Sequence, residues 1–302
     1  MRFACVAVAL VAMAAPACAA EDLTPLYPEN AVAVLGVDVA EVVKSPLGKK
    51  VVGADKPFTA ARKLLGVFLE DGALKFSDNV HTHFADLANK LERVTVVAAV
   101  DLEGKFDLGV VAFLEGPNTE AEYVKGAEAF AKAEGEDFAV EKRGDRKVLS
   151  WPNGKLHGAL ARKGLFVVAD KPEALAAVLD AADGKGKIAP NKQLVAAVKG
   201  VKPADTPIWF ALAHEKLGGG TATIALKGDA DFRLDYDAGA SGFGFTVKSL
   251  LSSVFDGLAK KDTPQGRVWG AAKVEVKGDD KAVTATGTFP GKLIAEEYAK
   301  RK

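Results

Sequence analysis

The run AVAVLGVDV, residues 31–39, decides how this chain is read, because PIWFALA at residues 207–213 repeats its character in the second half. Each follows a proline and each opens the same order of elements. Short apolar runs bounded by turn residues suit buried strands. A hairpin comes next: Val94 to Asp101 and Phe106 to Leu114 around Leu102-Glu103-Gly104-Lys105, matched by Thr221 to Lys227 and Phe232 to Ala238 around Gly228-Asp229-Ala230-Asp231. A helix is expected after each hairpin. Thr119-x-x-Glu122 reads as a capping box, with Tyr123, Ala127 and Phe130 on one side and Gly135 as the stop. Val247, Leu250, Leu251, Val254 and Leu258 recur at helical spacing, opposite Ser249, Ser252, Ser253 and Asp256.

Working outward, strands return at 138–141, 147–151, 156–161 and 165–169 in the first half and at 268–276 and 282–289 in the second, with glycine-bearing turns between them. Each half closes on a helix. Asp170-Lys171-Pro172-Glu173 reads as an N-cap, an early proline and a first-turn acid, ending at Gly184, and residues 290–298 are the counterpart. The expectation is an α+β fold of two similar halves with a duplicated β-β-β-α-β-β-α plan, each half a mainly antiparallel sheet covered on one face by helices. The expected organisation is a signal peptide at 1–20, an N-terminal half at 21–200 with an insertion at 40–92, and a C-terminal half at 201–302. In the insertion, Asp38-x-x-Glu41 and Ser45-Pro46 each start a short helix, and Phe84, Leu87, Ala88 and Leu91 describe a third. The second half has only His214 to Gly220 at that place, while residues 190–199 form a further helix leading into the join.

MRFACVAVALVAMAAPACAA, residues 1–20, has one arginine, an apolar run too short to span a bilayer, and a small-residue exit, which together read as a secretory signal cleaved near Ala20. Export to the periplasm or the extracellular space is the expectation. Both cysteines, Cys5 and Cys18, lie inside that segment, so the mature chain has no thiol for a disulfide, a nucleophile or a zinc-thiolate site. Cys18 could serve as an acylated lipoprotein start, but Ala15-Pro16-Ala17 is a poor lead-in. Cleavage removes Arg2 and no acid, so 40 basic residues become 39 against 40 acidic, a net charge of −1. Such a balance offers no field for nucleic acid, and no later apolar run reaches the roughly 18 residues of a membrane span.

Three stretches, YPENAVAVLGVDVAEVVKSPLGKK (27–50), FDLGVVAFLEG (106–116) and WPNGKLHGALARKGLFVVADKPEAL (151–175), resemble secreted proteins of planctomycete-type bacteria that have no assigned activity. The likeness covers most of the mature chain. It implies a location and an α+β repeat fold, and it transfers no functional residue.

The chemistry-bearing candidates are sparse, and no cofactor is expected. His81 and His83, with Asp78 and Asp86 nearby, are the best metal candidate, against the simpler reading of a solvated helix start. Asp229, Asp231, Asp235 and Asp237 suggest calcium, but their alternation with Phe232, Leu234 and Tyr236 is that of a half-buried strand, and the EF-hand order is missing. Thr284, Thr286 and Thr288 form a ladder that an ordinary strand explains. Gly184-Lys185-Gly186-Lys187 lacks the rest of a phosphate loop and reads as a helix-end loop. No Gly-x-Ser-x-Gly elbow occurs, and His157 and His214 sit in or just after strands, as do Trp151, Trp209 and Trp269. The sequence therefore points to a non-catalytic binding or interaction module with a protein or other envelope partner. The alternatives are a small-molecule or lipid carrier closed by the Phe243, Phe245 and Phe255 region, and a hydrolase or metal-dependent enzyme.

Overall fold

The computed structural model describes residues 22–53, 56–68, 86–101, 107–135, 137–151, 156–201, 206–215, 218–239 and 242–300. The strands are β1 (Ala31–Asp38), β2 (Arg93–Asp101), β3 (Asp107–Glu115), β4 (Ala139–Arg143), β5 (Arg146–Trp151), β6 (Leu156–Arg162), β7 (Leu165–Ala169), β8 (Ile208–His214), β9 (Gly218–Leu226), β10 (Ala230–Asp237), β11 (Glu275–Gly278) and β12 (Ala282–Phe289). They form one twelve-stranded sheet in the order β11-β12-β10-β9-β8-β1-β2-β3-β7-β6-β5-β4, with every neighbouring pair antiparallel. The two apolar runs that organise the sequence are the two central strands. β1 and β8 pair from Ala33↔Leu212 to Val37↔Ile208, so the sheet is continuous where two separate sheets were expected.

The helices are α1 (Val39–Lys44), α2 (Pro46–Val51), α3 (Pro57–Phe68), α4 (Glu120–Glu134), α5 (Pro172–Ala182), α6 (Lys192–Gly200), α7 (Gly244–Ala259), α8 (Pro264–Ala271) and α9 (Gly291–Ala299). Helices cover both faces of the sheet, which corrects the one-sided covering expected above. On one face, Val94, Val96, Ala112, Leu114, Phe166 and Val168 pack with α1 to α4, α8 and α9 through residues such as Val42, Leu64, Tyr123, Val268 and Ile294. On the other, Val97, Val111, Phe113, Val167 and Ala169 pack with Leu175, Val178 and Leu179 of α5 and Leu194 of α6. Two buried faces explain why β2, β3 and β7 read as unbroken apolar runs instead of alternating ones.

Local signals account for most helix boundaries. Asp38 accepts from Glu41 N to start α1, and Ser45 accepts from Gly48 N to start α2 with Pro46 at its first position. Thr119 and Glu122 form a reciprocal capping box on α4, which ends at Gly135 with φ 66°. Asn191 accepts from Gln193 N and Leu194 N at the start of α6.

Four local readings are corrected. Residues 268–276 are not one strand: Thr263 accepts from Gly266 N and Pro264 sits in the first turn, so a helix, α8, runs through Trp269 before β11 begins at Glu275. Gly218 to Gly220 are part of β9 and not a linker. Gly218 takes φ +83°, and a side chain on Gly220 would strike the Asp235 carbonyl 2.5 Å away, so the strands approach too closely there for any other residue. Asp170 does not cap α5; its carboxylate accepts from Val110 N at 3.0 Å, while Lys171 holds the cap position and makes no side-chain capping bond to the helix start. The insertion also contains α3, whose Ala60, Leu64, Val67 and Phe68 are buried in the core.

Candidate functional site

The C-terminal helices present the most unusual surface. α7 is pinned at its start, where Gly244 N donates to Asp280 O at 3.1 Å and Lys248 Nζ donates to Gly278 O at 3.0 Å. Phe255 is its anchor, lying edge-on to Phe232 of β10 at 5.8 Å and stacked on Trp269 of α8 at 5.4 Å. Trp269 continues the aromatic chain to Phe289 at 4.9 Å and donates Nε1–H to the Phe68 carbonyl at 3.1 Å, tying α7 and α8 to the inserted helix α3.

This anchoring uses only one edge of the apolar side of α7. Of its sixteen residues, only Gly244 is buried. Leu250 is 61% exposed and Val254 45%, and before them Phe243 is 45% and Phe245 61% exposed. At 100° per residue, Phe243, Leu250 and Val254 fall within about 40° of one another, a single stripe, with half-buried Val247 and Leu258 continuing it toward Phe255. Thr246 and Ser253 flank that stripe on the outward side, whereas Phe245, Ser252 and Asp256 lie opposite it. Phe243, Leu250 and Val254 together expose an apolar patch on the order of 250 Å².

Phe243, Phe245 and Phe255 therefore do not close a common cavity. Phe255 turns inward onto Phe232 and Trp269, and the other two face solvent. A cavity of about 210 Å³ does lie beside Phe255, between Ser252, Asp256, Trp269 and Val274, and it is open and half polar in lining.

A larger open groove of about 620 Å³ runs over the end of β8, β9, β10 and β12 beside α6. His214, Glu215, Asp235, Asp237, Thr221 and Thr284 line it. Two of its acids are engaged: Asp235 accepts from Arg233 and from Thr284 Oγ1 at 3.1 Å, and Asp237 accepts from Gly239 N at 2.8 Å. The other two members of the aspartate series are also engaged, Asp231 by Thr288 at 3.0 Å and Asp229 by Gly291 N at 2.7 Å. The alternation is that of a strand, with the acids on the polar face beside the threonine ladder and Phe232 turned to the core.

Elsewhere, Ser150 Oγ and His157 Nδ1 lie 3.1 Å apart on adjacent strands, and His157 Nε2 is buried without a hydrogen-bond partner among the described residues. With Nδ1 facing Ser150 and Nε2 unpartnered, no carboxylate hydrogen-bonds that imidazole among the described residues. Asp78, His81 and His83 lie outside the described residues. Asp86 is exposed, 3.8 Å from Lys56, and among the described residues no three ligand-type side chains cluster as they would around a metal. The Gly184 to Lys187 segment is the end of α5, where Lys185 pairs with Asp183 at 3.1 Å. The α7 stripe was present in the sequence as a helical repeat, but the repeat did not show that the body buries so little of it.

No protein-family model and no curated protein matches the chain. Among solved structures it is similar to the treponemal protein TP0453. Crystal form III of that protein gives a TM-score of 0.50 at 12% identity, over 94% of this chain and 100% of the other, and crystal form I gives 0.48 at 12% identity, over 93% and 98%. At such identity the likeness to crystal form III is one of fold alone: a mixed α+β chain built on a large antiparallel sheet.

Proposed function

We propose that this chain is an exported, non-catalytic α+β protein of the cell envelope that works by contact, with the outer stripe of α7 as its contact surface. The observation that carries this reading is the exposure of Phe243, Leu250 and Val254 along one side of a helix with a single buried residue. A soluble helix ordinarily turns its apolar side to the core, and a stripe left outside marks a surface that is covered in use. The apolar and small-residue pattern of residues 1–20 supports export. A carrier would need an enclosed apolar cavity, whereas the large groove is open and lined in part by acids and threonines.

The proposal includes duplication of one ancestral unit. Its support is the order on either side of the β1–β8 seam: β1-β2-β3-β7-β6 runs one way and β8-β9-β10-β12-β11 the other, with α4 and α7 following the third strand of each.

Fractionation of the native host tests the contact reading. The wild-type chain is expected with the envelope, and the Leu250→Ser/Val254→Ser chain in the soluble fraction with an unchanged circular dichroism spectrum. Equal distribution of the two folded chains refutes it.

A further inference from the structure

We infer that the open groove over the ends of β8, β9, β10 and β12 is a binding site for a neutral oligosaccharide. The inference goes beyond the contact reading and does not depend on α7. Register fixes what the groove presents, because residues directly opposite one another in an antiparallel sheet share a face. Ala211 and Ala213 of β8 pack in one cluster with Leu194 of α6, so the rows that they begin lie on the α6 side. One row runs from Ala211 through Thr221 and Asp235 to Thr284, and the next from Ala213 through Gly219 and Asp237 to Ala282. Across four strands each row spans roughly 14 Å. α6 walls the groove with Gln193 and Ala197, and no residue of β9, β10 or β12 belongs to the packed cluster beneath that helix. The result is an open bay of about 620 Å³ with small residues in its floor and polar side chains along it.

The chemistry of the lining selects among ligands. Glu215, Asp235 and Asp237 line the groove and no lysine or arginine does among the described residues, so an anion would meet carboxylates without a cation to hold it. A peptide has no place as an added strand, because β8, β9, β10 and β12 are each paired on both sides. An apolar ligand would desolvate the carboxylates and hydroxyls without pairing them. A sugar meets each condition. Its hydroxyls both donate and accept, and the groove offers acceptors in the Asp237 and Glu215 carboxylates, a donor in the Gln193 amide, and the Thr221 hydroxyl as either. Thr284 donates to Asp235, which leaves its oxygen free to accept a further bond. The C–H face of a pyranose ring needs a floor without bulk, and Ala213, Gly219 and Ala282 supply one.

The test is a titration of the isotopically labelled mature chain with cellotriose, maltotriose and tri-N-acetylchitotriose, followed through backbone amide NMR signals. A galacturonic acid trimer serves as the anionic comparison and pentalysine as the basic-peptide comparison. The expected result is millimolar or tighter binding of at least one neutral trisaccharide, with the Gly219, Thr221 and Asp237 amides shifting most and the anionic trimer inert. The affinity is expected to fall at least tenfold in Thr221→Val/Gln193→Ala, which removes polar partners, or in Ala282→Ile, which fills the floor from an exposed strand position. Both variants are checked for an unchanged circular dichroism spectrum. Binding that is the same in both folded variants overturns the inference, as does preference for the anionic trimer. Groove-dependent shifts with pentalysine and none with any neutral sugar overturn it in favour of a basic peptide, and silence with every ligand removes the site. The α7 contact reading stands or falls separately, by the fractionation above.

Discussion

Replacing Gly36 by alanine strikes the seam on which the whole sheet depends. Gly36 of β1 faces Trp209 of β8 directly, and a methyl group on Gly36 would lie inside the indole, under 3.0 Å from Cε2, Cζ2 and Nε1. Even the farthest of the three, Nε1 at 2.5 Å, is about 1 Å short of van der Waals contact. The indole is 5% exposed and sits in the packed cluster with Val34 and Ala211, so it has little room to retreat. Overpacking of this kind costs about 1–3 kcal/mol, and the confinement of the ring puts Gly36→Ala near the upper end, about 3 kcal/mol.

Trp209→Phe removes the ring atoms that collide and also a buried indole N–H that has no hydrogen-bond partner among the described residues, at a packing cost of about 1–2 kcal/mol. In the double variant the methyl enters the space the indole leaves. Urea unfolding of the four proteins should give a double-variant loss smaller than the sum of the single losses by at least 1 kcal/mol, a level set by roughly twice the usual scatter of independent sites. Additivity within about 0.5 kcal/mol would refute the claim that glycine is required at position 36 by the indole across from it.

Glu297→Gln tests the bond between α8 and α9. The Glu297 carboxylate, 1% exposed, accepts from Arg267 Nε and Nη2 at 3.1 Å and from Lys300 at 2.8 Å. The Arg267 guanidinium foremost, then Lys300, hold its pKa below the ordinary 4.5 against the opposing effect of burial. A depressed folded-state value stabilises fully above the unfolded value and is lost as pH falls through the folded one, so the glutamine variant should lose stability at neutral pH and show a flatter acid limb in melts between pH 7 and 3. Thr119→Ala should cost about 1 kcal/mol by removing the cap of α4. NMR titration should then show the Glu122 carboxyl rising from about 2, where Lys90 and the Thr119 backbone and hydroxyl hold it. Leu250→Ser and Val254→Ser should each leave the unfolding midpoint within the equivalent of about 0.5 kcal/mol, because neither side chain is buried. Chelator should leave the melting curve unchanged; a drop that His81→Ala abolishes would establish a metal site at His81 and His83.

The sheet was largely legible because its strongest elements obey local rules. Val94 to Asp101 and Phe106 to Leu114 declare a buried hairpin by composition alone, and Thr119 with Glu122 and Gly135 mark both ends of α4. What escaped depends on context. Val268-Trp269-Gly270-Ala271-Ala272 has the apolar content of either a strand or a helix, and only the Thr263–Gly266 bond decides between them. The join of the two sheets into one was hidden because nothing local distinguishes an edge strand from a central one in PIWFALA. The stripe on α7 was visible as periodicity, but periodicity assigns an apolar side without stating which part of it the body covers. That outcome was fixed by distant residues, Phe232 on β10 and Trp269 on α8, which claim Phe255 and leave Leu250 and Val254 outside.

The β1–β8 seam also has a consequence in time. Val37 and its partner Ile208 are separated by about 170 residues of chain, so the middle of this sheet is among the last parts that a chain emerging from its N-terminus can complete. Until residue 214 is available, β1 offers β2 one edge and leaves the other, backed by Val34 and Val37, without a partner. The finished outer edges are guarded by charge, with Glu141, Lys142 and Arg143 on β4 and Glu275 and Lys277 on β11, but β1 has no such guard along Ala31 to Val37. Translocation in an unfolded state and prompt delivery of the second half would keep that edge from pairing with another copy, so a chain truncated before β8 is expected to aggregate even though most of its own strands are present.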